Sequence, residues 1–375
     1  MKILITGGAG FIGSHVVDTL IEKGYSNVTI FDNLEEQVHG PSHNPPEYLN
    51  PKAEFLKGSL LDYNLLKRLI KDTDILIHLG AVVGVAQSMY QIRKYTETNI
   101  IGTGNILDIL TNCDHNVQKL IIASSNTVYG EGKYQCSKCG VIFPPLRSKE
   151  QLSKKVWEIL CPNCGSGLKP LPCDESSHLT ASSIYALSKK AQEQMSFLIG
   201  KTYGINTVIL RFFLVYGARQ TLSNPYTGVC GIFASRLLNN NPPLIYEDGL
   251  QTRDFVHVKD VCQAITLAIE KSTANNEVFN VGTGIPISIK EIAEIITQKL
   301  NPNIQPMVTE KYRVGDIRHC LADITKIKNK LGYKPTVNFT EGINDVLDWI
   351  RTEIKPIQDK SDIALNELKE KGLLR

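Results

Sequence analysis

Short apolar runs punctuate the first half of the chain at Lys2–Thr6, Val28–Asp32, Ile75–Leu79 and Leu120–Ser124. Runs this short, bounded by polar or glycine-rich stretches, predict buried strands. Between them, Ile12–Lys23, Tyr63–Ile70 and Glu97–Leu110 carry apolar residues at helical spacing. Strand and helix in alternation imply parallel strands joined by helical crossovers. The expected fold class is α/β, with a doubly wound parallel Rossmann sheet.

The rhythm breaks at Glu131–Pro172, a stretch rich in Cys, Pro, Gly and Lys that reads as an inserted module. It resumes with a helix over Ile184–Lys201 and a strand over Thr207–Phe212. Shorter elements punctuated by Pro and Gly follow, as in a smaller C-terminal domain that caps a substrate. Ser288 is placed to cap a helix running to Leu300. Ser361–Leu373 reads as a charged, exposed helix or a frayed tail. The expected division is a dinucleotide-binding domain over 1–215, interrupted by the insertion at 131–172. A mainly substrate-binding domain spans 216–350, with 255–272 returning to the first domain, and a tail helix spans 351–375. No internal repeat is visible.

Of 375 residues, 42% are hydrophobic and 21% charged, and the formal net charge is +3. So small a charge gives no reason to expect nucleic acid or an anionic membrane as partner. No stretch approaches eighteen apolar residues, so no membrane span is expected. The first residues run straight into a strand without a leader pattern, which favours the cytoplasm. There the nine cysteines would stay reduced.

Gly7-Gly8-Ala9-Gly10-Phe11-Ile12-Gly13 follows the first strand and opens the first helix, the context a dinucleotide loop requires. Gly7 permits the turn, Gly10 lets the backbone approach a pyrophosphate, and Gly13 lets helix and sheet pack closely. Unpaired N–H groups at the helix start favour phosphate. Asp32, ending the second strand, is placed to grip ribose hydroxyls and to repel a 2′-phosphate, so NAD is expected rather than NADP. Asn33 follows it. Leu61 and Asp62 are candidates for the adenine edge, and Leu79 and Ala81 for the strand end where ligands collect. His78 alone reads as a packed core histidine.

Tyr185 and Lys189 stand four apart on a predicted helix, which puts a phenol and an ammonium on one face. A neighbouring cation lowers the phenol's pKa from about 10 toward neutrality, the positive nicotinamide ring of oxidised NAD would push the same way, and together they make a usable base. Ser124-Ser125-Asn126-Thr127-Val128-Tyr129-Gly130 ends the fourth predicted strand and offers a hydroxyl to the same reacting oxygen. Cys136-x-x-Cys139 and Cys161-x-x-Cys164, each followed by glycine and separated by 21 residues, predict a closed, structural four-thiolate zinc ribbon. Cys113, Cys173, Cys230, Cys262 and Cys320 lack such spacing and read as packing residues.

The glycine loop, the serine run before Val128-Tyr129-Gly130 and the Tyr-xxx-Lys helix together resemble the extended short-chain dehydrogenase/reductases, and within them the nucleotide-sugar epimerases. The resemblance covers nearly the whole chain apart from the insertion. It implies a catalytic trio of Ser125, Tyr185 and Lys189, with Lys189 also on the nicotinamide ribose and Asn99 near the cofactor. It implies substrate contacts at Ser125, Asn126, Thr127 and Tyr185. It likewise implies substrate contacts at Leu214, at Arg253 in Gln251-Thr252-Arg253-Asp254 and at Arg313 and Asp316 in Arg313-Val314-Gly315-Asp316, with the two arginines on the diphosphate. The implied reaction is epimerisation at carbon 4 of a nucleotide-diphosphate sugar through a transient 4-keto intermediate. Related dehydratases and decarboxylases resemble one another in having Glu where Thr127 stands, which ranks epimerisation first. Leu214 departs from the Asn of many relatives. Gln220–Gly228 resembles a loop of the dTDP-L-rhamnose 4-epimerases, and a zinc-ribbon insertion also resembles that group, so dTDP-L-rhamnose and dTDP-6-deoxy-L-talose are the expected pair. UDP-glucose/UDP-galactose-type epimerisation and a net NAD-dependent oxidoreductase are the alternatives. Family analogy further implies a homodimer formed through the helices at 97–110 and 184–201, and the insertion is expected to rim the sugar pocket.

Overall fold

A computed structural model describes every residue except 222, 223, 225, 227 and 353–358. The strands β1 (Ile3–Thr6), β2 (Val28–Asp32), β4 (Ile75–His78) and β5 (Lys119–Ser125) fall within two residues of the predicted runs, and β3 (Glu54–Lys57) is an addition. Two antiparallel pairings around β6 (Lys133–Cys136), with β7 (Gly140–Ile142) and β8 (Lys169–Leu171), build the insertion. The later strands are β9 (Asn206–Phe212), β10 (Leu214–Tyr216), β11 (Thr252–His257) and β12 (Glu277–Val281). The helices used below are α1 (Phe11–Glu22), α2 (Tyr63–Lys71), α3 (Gly102–Asn112), α4 (Ile184–Tyr203), α5 (Val229–Leu238), α6 (Val258–Glu270), α7 (Ile289–Leu300), α8 (Phe339–Thr352) and α9 (Ser361–Glu370).

The central sheet runs β12-β9-β5-β4-β1-β2-β3, with all neighbours parallel. Helices cover both faces, so the strands are mainly apolar and β1, β2, β4 and β5 are buried at every residue. Ile3 stands level with Val28 and Ile75, and Thr6 with Phe31 and His78. The carboxyl ends of β2, β1 and β4 therefore finish together, and the crevice beyond them is where such sheets take ligands. Chain order reverses on either side of β1, since β4 lies on one flank and β2 on the other.

The sheet takes back more of the second half than the expected 255–272. Helix α6 packs against α1 and the sheet, and β12 adds an edge strand, because Phe279 and Val281 pair beside β9 in the same core. A separate cluster joins α5, α7 and α8 with Tyr216 and Phe255 into the smaller unit. Ser288 caps α7 as expected, in a reciprocal capping box with Glu291.

Two elements differ from expectation. The helix predicted over Glu97–Leu110 starts as a π-helix, Thr96–Ile101, before continuing as α3. Its wider turn carries Asn99 inward, and such bulges recur at functional sites. The segment 361–373 is not a frayed tail: Ala364, Leu368 and Leu374 are buried, and residues beyond α9 pair with the chain at 312–314. The sparse apolar residues of α9 fall on one face, which an average over a charged segment hides.

The insertion is welded to the body by ions. Arg318, fully buried, donates to Glu158 at 2.6 and 2.9 Å, to Glu247 at 2.9 Å and to Asp248 at 2.7 and 2.9 Å. Arg147, from within the insertion, holds Glu247 through two nitrogens at 2.8 and 2.9 Å. The backbone N–H of Arg318 donates to Glu131 at 2.6 Å. Among the described residues no helix is long and apolar enough to cross a membrane.

Candidate active site

A cavity of about 1050 Å³ opens at the carboxyl edge of the sheet and continues under the smaller unit. It lies at the upper end of the range of about 300–1000 Å³ for small-molecule sites, which leaves room for a cofactor and a second ligand.

One end is built by the glycine loop. Gly7 has φ +70°, and a Cβ on it would sit 2.7 Å from Gly80 N. A Cβ on Gly13 would sit 2.2 Å from Gly7 O, so the helix can approach the loop only without a side chain. Gly10 caps α1, and Gly7, Phe11, Ile12 and Gly13 line the cavity. Asp32 and Asn33 line the same end. Asp32 accepts from Ala9 N–H at 3.1 Å and Leu34 N–H at 2.9 Å, which fixes the carboxylate at the end of β2. Leu79 and Ala81, either side of the Gly80 that abuts Gly7, line the cavity beside the loop.

The residues expected at the adenine edge need correction. Asp62 is exposed and caps α2, accepting from Leu65 N–H at 3.0 Å, and Leu61 is exposed beside it. Ser59 and Leu60, two positions earlier, line the cavity instead. The chain turns outward between Leu60 and Leu61 to start the helix, whose first N–H groups the Asp62 carboxylate serves. Asn99 does not line the cavity. Its amide donates to Val82 O at 3.0 Å and Ser188 Oγ at 3.0 Å and accepts from Val82 N–H at 2.8 Å, so it clamps the loop after β4 to α4. His78 is a core residue: it bonds Thr6 at 2.7 Å and Thr103 at 2.9 Å, and burial pushes its pKa down to about 3.

Ser125, Asn126, Thr127, Tyr185 and Lys189 meet in the middle of the cavity. The last residue of β5 is Ser125, whose hydroxyl lies near enough to the Tyr185 phenol to favour its anion. Thr127 donates its hydroxyl to Ser125 Oγ at 3.0 Å, and the Thr127 N–H donates to it at 3.2 Å. Ser183 caps α4 and sets its first turn, which carries Tyr185; Lys189 follows one turn later. Lys189 Nζ donates to Ala123 O at 2.9 Å. The adjacent Glu193 forms a buried bidentate pair with Arg211 at 2.8 and 2.9 Å and accepts from Ser124 at 2.5 Å. Neutral phenol was expected to be acidified by Lys189. Burial dominates instead and pushes Tyr185 up to about 12, with the Ser125 hydrogen bond pulling it down. Burial likewise pushes the Lys189 ammonium down to about 8, against the pull of Glu193. The protein groups alone thus leave the phenol protonated at neutral pH.

Leu214, Arg253, Arg313 and Asp316 line the far end. Arg253 is more structural than its motif suggested. Nη1 donates to the carbonyls of Thr252 and Arg318 at 2.9 Å each, and Nη2 to Ile317 O at 2.6 Å. Arg313 is more open: it bonds Asp316 at 2.8 and 3.1 Å, lies over the Tyr246 ring, and its side chain is 39% exposed. Arg147, Arg236 and Tyr246 also line this end and carry no sequence motif that marks them. The loop at 220–228 reaches the cavity through Gln220, Thr221, Asn224, Tyr226 and Gly228; its residues 222, 223, 225 and 227 lie outside the described residues.

In the insertion, the sulfurs of Cys136, Cys139, Cys161 and Cys164 lie within 4.8 Å of one another. Gly140 and Gly165 have φ of +79° and +72°, the left-handed turns expected after each pair. Four soft donors converging from two hairpin turns fit a tetrahedral metal ion.

The family model described as GDP-mannose 4,6 dehydratase matches residues 4–139 and 166–346. The chain belongs to that family. The stretch the family model passes over, 140–165, falls inside the cysteine-bearing insertion. Family relatives carry different activities. The chain is similar to a dTDP-L-rhamnose 4-epimerase of Burkholderia thailandensis, 32% identical over 94% of this chain and 96% of the relative. It is similar in structure to a UDP-glucose 4-epimerase of Thermotoga maritima solved with UDP-glucose (TM-score 0.77, 31% identity, 95% of this chain and 100% of that one). A UDP-glucuronic acid 4-epimerase of Bacillus cereus, solved with UDP-glucuronic acid and NAD, gives a TM-score of 0.75 at 26% identity, covering 94% of this chain and 99% of that one.

Proposed function

We propose that the chain is an NAD-dependent nucleotide-sugar 4-epimerase. The observation that carries this reading is the meeting of Ser125, Thr127, Tyr185 and Lys189 midway between a dinucleotide loop and an arginine-bearing end of one cavity. Gly7–Gly13, Asp32, Asn33, Ser59 and Leu60 hold the cofactor. When bound, oxidised NAD supplies a hydride acceptor and a positive charge near Tyr185, so the alcohol carbon becomes a ketone and returns to an alcohol without net redox change.

Tyr185 takes the proton of the sugar 4-hydroxyl and returns it to the 4-oxygen after the ring has turned over. Ser125, backed by the Thr127 hydroxyl, holds that oxygen. Lys189 keeps a cation one turn from the phenol and stabilises its anion. Elimination of water needs an acid beside the sugar. The described carboxylates lining the cavity are Asp32 and Glu35 at the β2 end and Asp316, which two arginines neutralise. Thr127 supplies only a hydroxyl, so epimerisation ranks above dehydration. Arg313, with Arg253 behind it, receives the diphosphate.

The proposed substrate pair is dTDP-L-rhamnose and dTDP-6-deoxy-L-talose, with the similarity to the Burkholderia enzyme in support. The four thiolates hold a structural zinc ion, and we place the protein in the cytoplasm, where they stay reduced. The exposed Ile101, Leu187 and Leu198 on the π-helix and α4 support a homodimer through that face. Tyr185→Phe tests the mechanism: turnover falls by about 10²–10⁴-fold while NAD stays bound. Activity close to that of the unaltered protein would contradict it.

A further inference from the structure

Ser361, Ala364, Leu365 and Leu368 of α9 are spaced i, i+3, i+4 and i+7, so they share one helical face. That face lines the cavity, as does Leu373 beyond it. Several contacts among the described residues hold the segment there. Past α9 the backbone pairs with the Arg313 segment: Val314 N–H donates to Leu373 O at 2.9 Å, Tyr312 N–H to Arg375 O at 2.9 Å, and Arg375 N–H to Tyr312 O at 3.1 Å. At the start of α9, Arg236 Nη1 stands 3.3 Å from Asp359, just ahead of the helix, and 3.5 Å from Asp362 in its first turn. At the middle, Glu367 accepts from Tyr90 at 2.8 Å and from the Tyr226 hydroxyl, and the two phenols are 2.6 Å apart. Tyr90 follows Met89 on the cofactor side of the cavity, and Tyr226 comes from the loop at 220–228. One carboxylate thus ties the segment to both sides of the mouth.

We propose that residues 359–375 form the outer wall of the substrate site, in which Leu365, Leu368 and Leu373 seat the nucleoside of a nucleoside diphosphate. The proposal rests on the nucleotide-sugar reading above. A diphosphate held at Arg313 has two ends. The sugar must reach Tyr185, so the nucleoside points the other way, into the part of the cavity bounded by Tyr246, Ile232 and the three leucines. A flat base requires apolar surface there, and α9 supplies it. The same wall covers the nucleoside's way in. Among the described residues its polar ties are a short stretch of backbone pairing, the Glu367 carboxylate cluster, Arg236, and the Asn241 amide, which donates to Asp359 at 2.9 Å. Because Leu373 flanks the pairing with Val314, seating a nucleoside closes the wall against the segment that carries Arg313.

The test uses the full chain with NAD bound, a chain ending at Lys360, and Glu367→Gln, each titrated by calorimetry with dTDP, UDP and GDP. Amide hydrogen exchange of the full chain is followed with and without the tightest of the three. The expected result is exchange slowed at least tenfold across 362–375 on binding. Loss of 361–375 weakens the nucleotide at least tenfold with NAD retained, and Glu367→Gln weakens it less. Nucleotide bound to the full chain with unchanged exchange at 362–375 overturns the wall alone, as does equal affinity in the shortened chain. No binding of any of the three to the full chain overturns the nucleotide-sugar reading and the wall with it.

Discussion

Replacing Lys189 by Met changes how stability depends on pH, by an amount the site itself fixes. Lys189 is 4% exposed, and burial lowers its ammonium from 10.5 to about 8. Below pH 8 both folded and unfolded chains carry the proton, and the folded one holds a desolvated charge. Between about 8 and 10.5 the unfolded chain binds more protons than the folded one, so stability rises with pH across that window. A pKa difference of about 2.5 corresponds to roughly 3 kcal/mol, at about 1.4 kcal/mol per unit. The Met variant lacks this dependence, and every other titrating group is shared by the two proteins. Urea unfolding of the NAD-free proteins at intervals from pH 7.5 to 10.5 isolates the difference. The unaltered protein gains roughly 3 kcal/mol on the variant across the series. A difference that stays flat with pH would refute the buried, depressed ammonium, and with it the account of how Lys189 is poised beside Tyr185.

Three other outcomes follow from named contacts. Gly13→Ala places a Cβ 2.2 Å from Gly7 O and 2.6 Å from Gly8 Cα, so it costs about 1–3 kcal/mol by chemical denaturation and strips NAD from the purified protein. Metal analysis finds one zinc per chain, and its removal by a chelator lowers the melting temperature and exposes 133–171 to proteolysis; an unchanged melting temperature would deny the metal a structural role. Arg318→Met takes the shared partner from the buried Glu247 and from the more open Glu158 and Asp248, which costs about 3 kcal/mol in urea unfolding.

The sheet was legible because its strands are buried on both faces and therefore read as continuous apolar runs. The glycine loop was legible because backbone geometry at Gly7 and Gly13 admits no other residue. The four cysteines declared themselves by spacing alone. Three kinds of feature were not visible. Asp62 failed because a carboxylate at a helix start serves the helix as readily as a ligand. Tyr185 was expected to be acidified by its neighbour, but one cation four residues away says nothing of how deeply both are buried, and burial decides the pKa. The wall at α9 was hidden because Leu365 and Leu368 sit among charged residues whose outward direction only the fold reveals. Arg147, Arg236 and Tyr246 reach the cavity from three distant segments, and no local pattern links them. The π-helix that turns Asn99 inward has the same apolar spacing as an ordinary helix.

The central claim is that one cavity oxidises and re-reduces a single sugar carbon. It is tested most directly by incubating the purified protein, without added cofactor, with dTDP-, UDP- and GDP-sugars and reading the products by NMR. The account predicts that one substrate equilibrates with its carbon-4 epimer with no net NADH formed. A 4-keto-6-deoxy product, loss of carbon dioxide, or NADH accumulating in proportion to product would contradict it.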